Sequence, residues 1–149
     1  MDHDLFYRMA ERTISLNPYL QNTIWSGFMP TIVHLDIPAD DPERASKFYS
    51  RLFDWNIELN PEFEYYMVRT QGLDGTDGPG GGIGKRQGDQ TITAYIGVPS
   101  VDEYIIKVES LGGKAITPKM PVPGWGYLVV CLDTEDNTFG LWEDDANAK

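Results

Sequence analysis

The chain has 149 residues, enough for one domain with a substantial core and too few for two independent domains of ordinary size. Its 12 lysines and arginines against 23 aspartates and glutamates give a net charge of −11, a field that repels phosphate backbones and argues against nucleic acid or an anionic membrane surface as a partner. The single cysteine, Cys131, excludes an intrachain disulfide, and no apolar run reaches membrane-spanning length, so a cytoplasmic protein is expected.

Residues 1–29 read as an extension of the domain, partly helical. Leu5, Met9 and Ala10 line one side of a short helix that Asn17-Pro18 would stop, and Phe6, Tyr7, Trp25 and Phe28 are too apolar for a disordered tail. The segment is expected to pack on the domain or on a partner subunit. The alternative is that Met29 is the natural start of the chain.

From Thr31 to Leu59 the chain spells out a strand, a helix and a second strand. Ile32 to Ile37 alternates, so that Val33, Leu35 and Ile37 face one way and Ile32, His34 and Asp36 the other. Pro38 ends the ladder, Asp40 and Glu43 stand at capping-box spacing, and Pro42 falls in the first helical turn, where its missing N–H costs nothing. Ala45, Phe48, Tyr49, Leu52 and Phe53 then recur as on a helix lying on a sheet, while Glu43, Arg44, Ser46, Lys47, Ser50 and Arg51 take the solvent side. Trp55 to Leu59 and Glu64 to Thr70 read as further strands. The glycine-rich run from Gly72 to Gly84 lacks the Gly-Lys-Ser/Thr of a phosphate loop and opens no helix, so it reads as a short strand or turn.

The plan then repeats. Thr91 to Val98 alternates, with Thr91, Thr93, Tyr95 and Gly97 on one face, and Ser100 with Glu103 makes a second capping pair. Val101, Tyr104, Ile105, Val108 and Leu111 continue at helical spacing to a stop at Gly112-Gly113. Lys114 to Thr117, Gly126 to Leu132 and Thr138 to Glu143 supply three more strands, with Cys131 as a buried, unreactive thiol in the second of them. Leu52 and Leu111 are 59 residues apart, as are Ile57 and Ile116. The expected fold is therefore an α+β domain over residues 30–146, built of two tandem βαβββ modules at 30–87 and 90–144. Each helix covers one face of its strands, and laying the modules side by side turns the remaining faces into a curved, cup-like mixed sheet with the helices outside. His34, Asp36, Thr93 and Tyr95 then look into one hollow.

These residues resemble the vicinal oxygen chelate superfamily, which includes glyoxalase I, extradiol dioxygenases, fosfomycin-inactivating enzymes and bleomycin-resistance proteins. The matching pieces are VHLDIPADDPERASKFYSRLFDW in the first module, SLGGKAI after the second helix and LDTEDNTFGLWE at the end; they span about Pro30 to Glu143. The resemblance implies a cup in which metal-dependent members place four ligands, typically His or Gln, Glu, His and Glu, on the first and fourth strands of each module. His34 matches the first. The other positions fall on Thr93, Gly140 and Gly81, and a catalytic divalent metal ordinarily needs three protein ligands. Glu143, three residues past Gly140, is expected on the opposite face near the solvated chain end.

A cup that has lost its ion can still hold a ligand. His34, Asp36, Thr93, Tyr95, Trp125 and Trp142 are expected to line it, Trp125 from a proline-stiffened rim, with the glycines at 81 and 140 leaving room. Ordinary packing explains Trp142 equally well, and a hydrogen-bonded place in the wall explains His34. No catalytic residue is assigned, although His34 and Asp36 could act as an acid–base pair. The reading that follows is a glyoxalase/bleomycin-resistance-like protein, metal-independent, that binds a small organic molecule and forms a homodimer. An acidic, tryptophan-lined hollow suits a cationic or aromatic ligand. Two alternatives stand beside it: a metal-dependent lyase or dioxygenase of the same superfamily with a divalent metal near His34, and a non-catalytic interaction module that docks through the N-terminal aromatic segment.

Overall fold

The computed structural model describes residues 29–149; the helix and docking role expected of residues 1–28 lie outside the described residues. The first half comprises β1 (Ile32–Ala39), α1 (Pro42–Phe53), β2 (Asn56–Asn60), β3 (Tyr65–Arg69) and β4 (Gly80–Lys85). The second comprises β5 (Thr93–Gly97), α2 (Val101–Ser110), β6 (Lys114–Ala115), β7 (Met120–Val122), β8 (Gly126–Leu132) and β9 (Thr138–Asp144). The strands form one sheet in the order β2-β3-β4-β1-β5-β9-β8-β6, with β7 paired onto β8. This is the expected α+β cup, with β7 as a strand the periodicity did not reveal. No helix among the described residues is long and apolar enough to cross a membrane.

The two halves meet where β1 runs antiparallel to β5, and each of these strands is parallel to the last strand of its own half, β4 or β9. In the seam His34 pairs with Tyr95 and Asp36 with Thr93. The 59-residue repeat carries His34 onto Thr93 and Asp36 onto Tyr95, so the pairing is its own image and the halves are related by a pseudo-two-fold axis through the seam. Both helices consequently lie on one side of the sheet. Under α1 the core is Ile37, Ala39, Val68 and Ile83, with Leu35 packed against them. Under α2 it is Val98, Val101, Val129, Cys131 and Leu141. Burial pushes the Cys131 thiol above its ordinary pKa, which keeps it neutral and unreactive.

Five local expectations change. The β1–β5 register shifts between Ile32 and His34, and at this bulge Val33 leaves the helix side and lines the concave cavity. Its Cγ1 lies over Gly97, where an added Cβ would stand only 2.9 Å away. Asp41, not Asp40, caps α1: Arg44 N donates to its Oδ1 at 2.9 Å, while Asp40 pairs with Arg86 at 3.0 Å beyond the end of β4. Ser46 is buried, not wet, and donates to the Glu43 carbonyl at 2.8 Å. Of the expected stripe, Ala45 and Tyr49 reach the sheet, whereas Phe48, Leu52 and Phe53 stay more than half exposed. Trp55 takes the space beneath the end of α1, stacked on Tyr49 with centroids 5.6 Å apart. Finally, Glu143 does leave the face of Gly140 but is only partly exposed, not a freely solvated chain-end group. Its Oε2 accepts from Val101 N at 2.8 Å and so caps α2 together with Ser100, whose Oγ accepts from Glu103 N at 3.2 Å.

Replacing a helix cap by alanine costs about 1 kcal/mol. Asp41→Ala should therefore lower the urea-unfolding free energy by about that amount. Asp40→Ala, which breaks an exposed ion pair, should cost less than about 0.5 kcal/mol.

Candidate functional site

The concave face encloses a cavity of about 470 Å³. Its floor is the β1–β5 seam, which contributes His34, Asp36 and Tyr95, and β3 adds Tyr65 and Met67 from the first half. Leu128 and Trp142 come from β8 and β9, and Asn60, Phe63, Val122, Trp125 and Asp144 stand towards the mouth. Residues from both halves close it, because the seam leaves each half only its concave face to share.

Three of the floor side chains form a chain of hydrogen bonds. The Tyr65 hydroxyl donates to Asp36 Oδ1 at 2.6 Å, and its oxygen lies 2.9 Å from His34 Nε2. A phenol has one proton to give, so the second bond requires His34 Nε2–H to donate to Tyr65 Oη, which leaves Nδ1 with the lone pair. Tyr95 meets the imidazole edge-on at 6.0 Å between centroids. Burial lowers the pKa of His34, the nearby Asp36 charge opposing it in part, so the ring is neutral at pH 7. Burial, then the charge and hydrogen bond of Asp36, drive the Tyr65 phenol well above its ordinary pKa, and burial with Asp36 pushes Tyr95 up to about 12. Both phenols are thus protonated donors facing one carboxylate. Among the described residues no lysine or arginine lines the cavity.

The six residues expected to line the cup do not all do so. His34, Asp36, Tyr95, Trp125 and Trp142 come together around the cavity, Trp142 held by a 2.7 Å bond from its Nε1 to Asp144 Oδ1. Thr93 does not join them: it is buried, and its hydroxyl donates to the Thr91 carbonyl at 3.2 Å. The room expected over the glycines is also taken. A Cβ on Gly140 would fall 2.0 Å from Tyr95 Cδ1, so the phenol ring lies flat across that glycine. Gly81 turns towards the helix side, where an added Cβ would meet Leu35 O at 2.8 Å and Val68 Cβ at 3.6 Å. The counterpart of Gly140 is Gly82, paired with Asp36 as Gly140 is paired with Tyr95, and a Cβ there would overlap the Tyr65 ring at 1.8 Å. Tyr65 is thus the hydrogen-bonding residue of the floor that sequence reasoning missed, along with wall residues such as Val33, Met67 and Leu128. The alternation of Tyr65 and Met67 was visible, and so was the run Gly80-Gly81-Gly82, but nothing local says that one ring lies across the other strand.

The donor set does not fit a divalent ion. Of the four positions where the resemblance places ligands, His34 alone carries one, Thr93 is turned into a backbone bond, Gly140 is roofed by the Tyr95 ring, and Gly81 faces the helix side while its neighbour Gly82 lies under the Tyr65 ring. Among the described residues no three His, Cys, Asp or Glu side chains converge as a metal site would require.

No family model matches the sequence, and no curated protein matches it. Solved structures do. A hypothetical protein from Bacillus halodurans superposes with a TM-score of 0.58 at 13% identity, covering 82% of this chain and 99% of that one. A variant of Streptomyces coelicolor methylmalonyl-CoA epimerase in complex with 2-nitronate-propionyl-CoA gives 0.58 at 14%, with 82% and 99% covered. A glyoxalase/bleomycin resistance protein/dioxygenase superfamily member from Vibrio splendidus gives 0.55 at 11%, with 78% and 100% covered.

Folding depresses the His34 pKa, so as pH falls below about 6.5 the unfolded chain takes up this proton first. The contribution of His34 to stability is complete above that pH and is lost as pH drops through the lower folded-state value. Urea titrations between about pH 7.5 and 5 should show stability declining in the wild type and declining less steeply in His34→Gln. Gly82→Ala should evict the Tyr65 ring, cost about 1–3 kcal/mol and abolish the Tyr65–Asp36 bond, seen as a Tyr65 phenol that ionises at lower pH in a spectrophotometric titration.

Proposed function

We propose that this chain, which has the vicinal oxygen chelate fold, binds a small organic cation in its cup without a metal. The observation that carries this reading is the Asp36 carboxylate on the floor of an aromatic-walled cavity to which, among the described residues, no lysine or arginine contributes. Asp36 is half-buried, and a carboxylate partly withdrawn from water gains from being hydrogen-bonded or paired. Tyr65 supplies one strong bond, and an ammonium or amidinium group would supply the missing charge. Tyr95, Trp125 and Trp142 contribute aromatic rings to the lining, and ring faces favour a cation, the more so out of water. A volume of about 470 Å³ suits a ligand of drug-like size. The neutral state of His34 supports the same reading, since no protonated imidazole competes for Asp36.

Homodimerisation and a cytoplasmic setting belong to this proposal as well. Equilibrium sedimentation tests the first.

Benzyltrimethylammonium should quench tryptophan fluorescence saturably, and phenylacetate, its anionic counterpart in size, should not. Asp36→Asn should weaken the cation about tenfold or more, the equivalent of 1.4 kcal/mol. Affinity should fall on acidification as His34 gains charge beside the ligand. Equal affinity for the anion, or failure of a broad set of aryl ammonium compounds to bind, would overturn the reading.

A further inference from the structure

We infer that the last turn of the chain, Asp145 to Ala148, is a clamp that positions Trp125 at the mouth of the cup and so determines which ligands the cup admits. The inference rests on the cup being a ligand site, and concerns a part of the chain that neither the repeat nor the core explains. Trp125 sits in the turn between β7 and β8, whose strands pair at Val122 and Gly126. Gly124 makes the turn possible with a φ of +78°, and Trp125 N closes it on the Val122 carbonyl at 2.9 Å. The indole lines the cavity, yet more than half of its surface is open to solvent. Sheet pairing holds the residues on either side of this turn and leaves Trp125 itself outside the ladder.

The missing bonds come from beyond the last strand. β9 ends at Asp144, paired with Gly126; the next residue, Asp145, donates its backbone N–H to the Trp125 carbonyl at 3.0 Å. Gly124 N in turn donates to the Ala148 carbonyl at 3.0 Å. The tail is braced internally by Ala148 N on Asp145 O at 3.1 Å and by Asn147 N on Asp145 Oδ1 at 2.8 Å. Ala148 is only 4% exposed, as buried as the core residue Val68. Its carbonyl and the Asp145 N–H thus both bond to the loop that carries Trp125. Neither core cluster includes residues 145–149.

The test replaces the tryptophans by 5-fluorotryptophan and follows the fluorine resonances, with the Trp125 signal assigned from Trp125→Phe. Two chains are compared with the wild type: one ending at Asp144, and full-length Ala148→Arg, which cannot dock its end. In both, the Trp125 resonance should sharpen and move towards that of the free amino acid while the Trp55 and Trp142 signals stay in place. Affinity for benzyltrimethylammonium should fall threefold or more, with bulkier aryl ammonium compounds losing least. An unchanged Trp125 resonance in both chains overturns the clamp, and a shifted resonance with unchanged affinities overturns its role in ligand choice. If the shortened chain loses all dispersed signals, Ala148→Arg decides. Failure of the wild type to bind the probe, together with a shifted Trp125 signal, would sink the cation reading and leave the clamp standing.

Discussion

The pairing of β1 with β5 is the contact on which the rest of the molecule depends. Either half alone has one helix and a sheet with two faces, and a helix can cover one face only. Joining the halves through their first strands puts both helices on the same side and leaves both uncovered faces on the other, where they curve into a shared hollow. The seam also sets the chemistry, because it brings His34 beside Tyr95 at the floor. Duplication explains the architecture, while divergence of the two copies explains the site. Asp36 and Tyr95 are repeats of one another, yet one is the anion of the cup and the other a phenol raised by that anion.

The tyrosines hold the floor together. Tyr65 crosses from β3 over Gly82 to reach Asp36, and Tyr95 lies across Gly140. Both arrangements need a neighbour with no side chain. The glycines are therefore a packing requirement of the rings, not spare volume for a ligand. A hydrogen bond to a charged acceptor contributes roughly 1.5–3 kcal/mol, enough to make the Tyr65–Asp36 contact a main determinant of the floor's geometry. His34 completes it as a donor, which burial keeps neutral.

Floor and mouth differ in how they are built. The floor stands on continuous ladder pairing and opposes two core clusters across the sheet, so its side chains have little freedom. The mouth stands on turns. Trp125 and Phe63 are about half exposed there, and Trp125 is fixed by bonds from the chain's last residues. Charge recognition would accordingly belong to the floor, and size selection to the mouth.

What the sequence by itself determined is whatever depends on a residue and its near neighbours. The strand–helix order, the 59-residue repeat, the Ser100 cap and the cup-facing positions of His34, Asp36 and Tyr95 all follow from periodicity, which reports a local fact: which side of an element is wet. The tertiary structure decided what depends on register. A bulge at Val33 turned one side chain from core to cavity, and a one-residue offset in β4 made Gly82, not Gly81, the counterpart of Gly140. Tyr65 entered the site by lying across a strand fifteen or more residues further along the chain, and Glu143 became a cap for a helix that precedes it by more than forty. Such contacts are set by how strands slide against one another when the halves close, and a slip of one residue reverses every side chain, so no local pattern could have specified them.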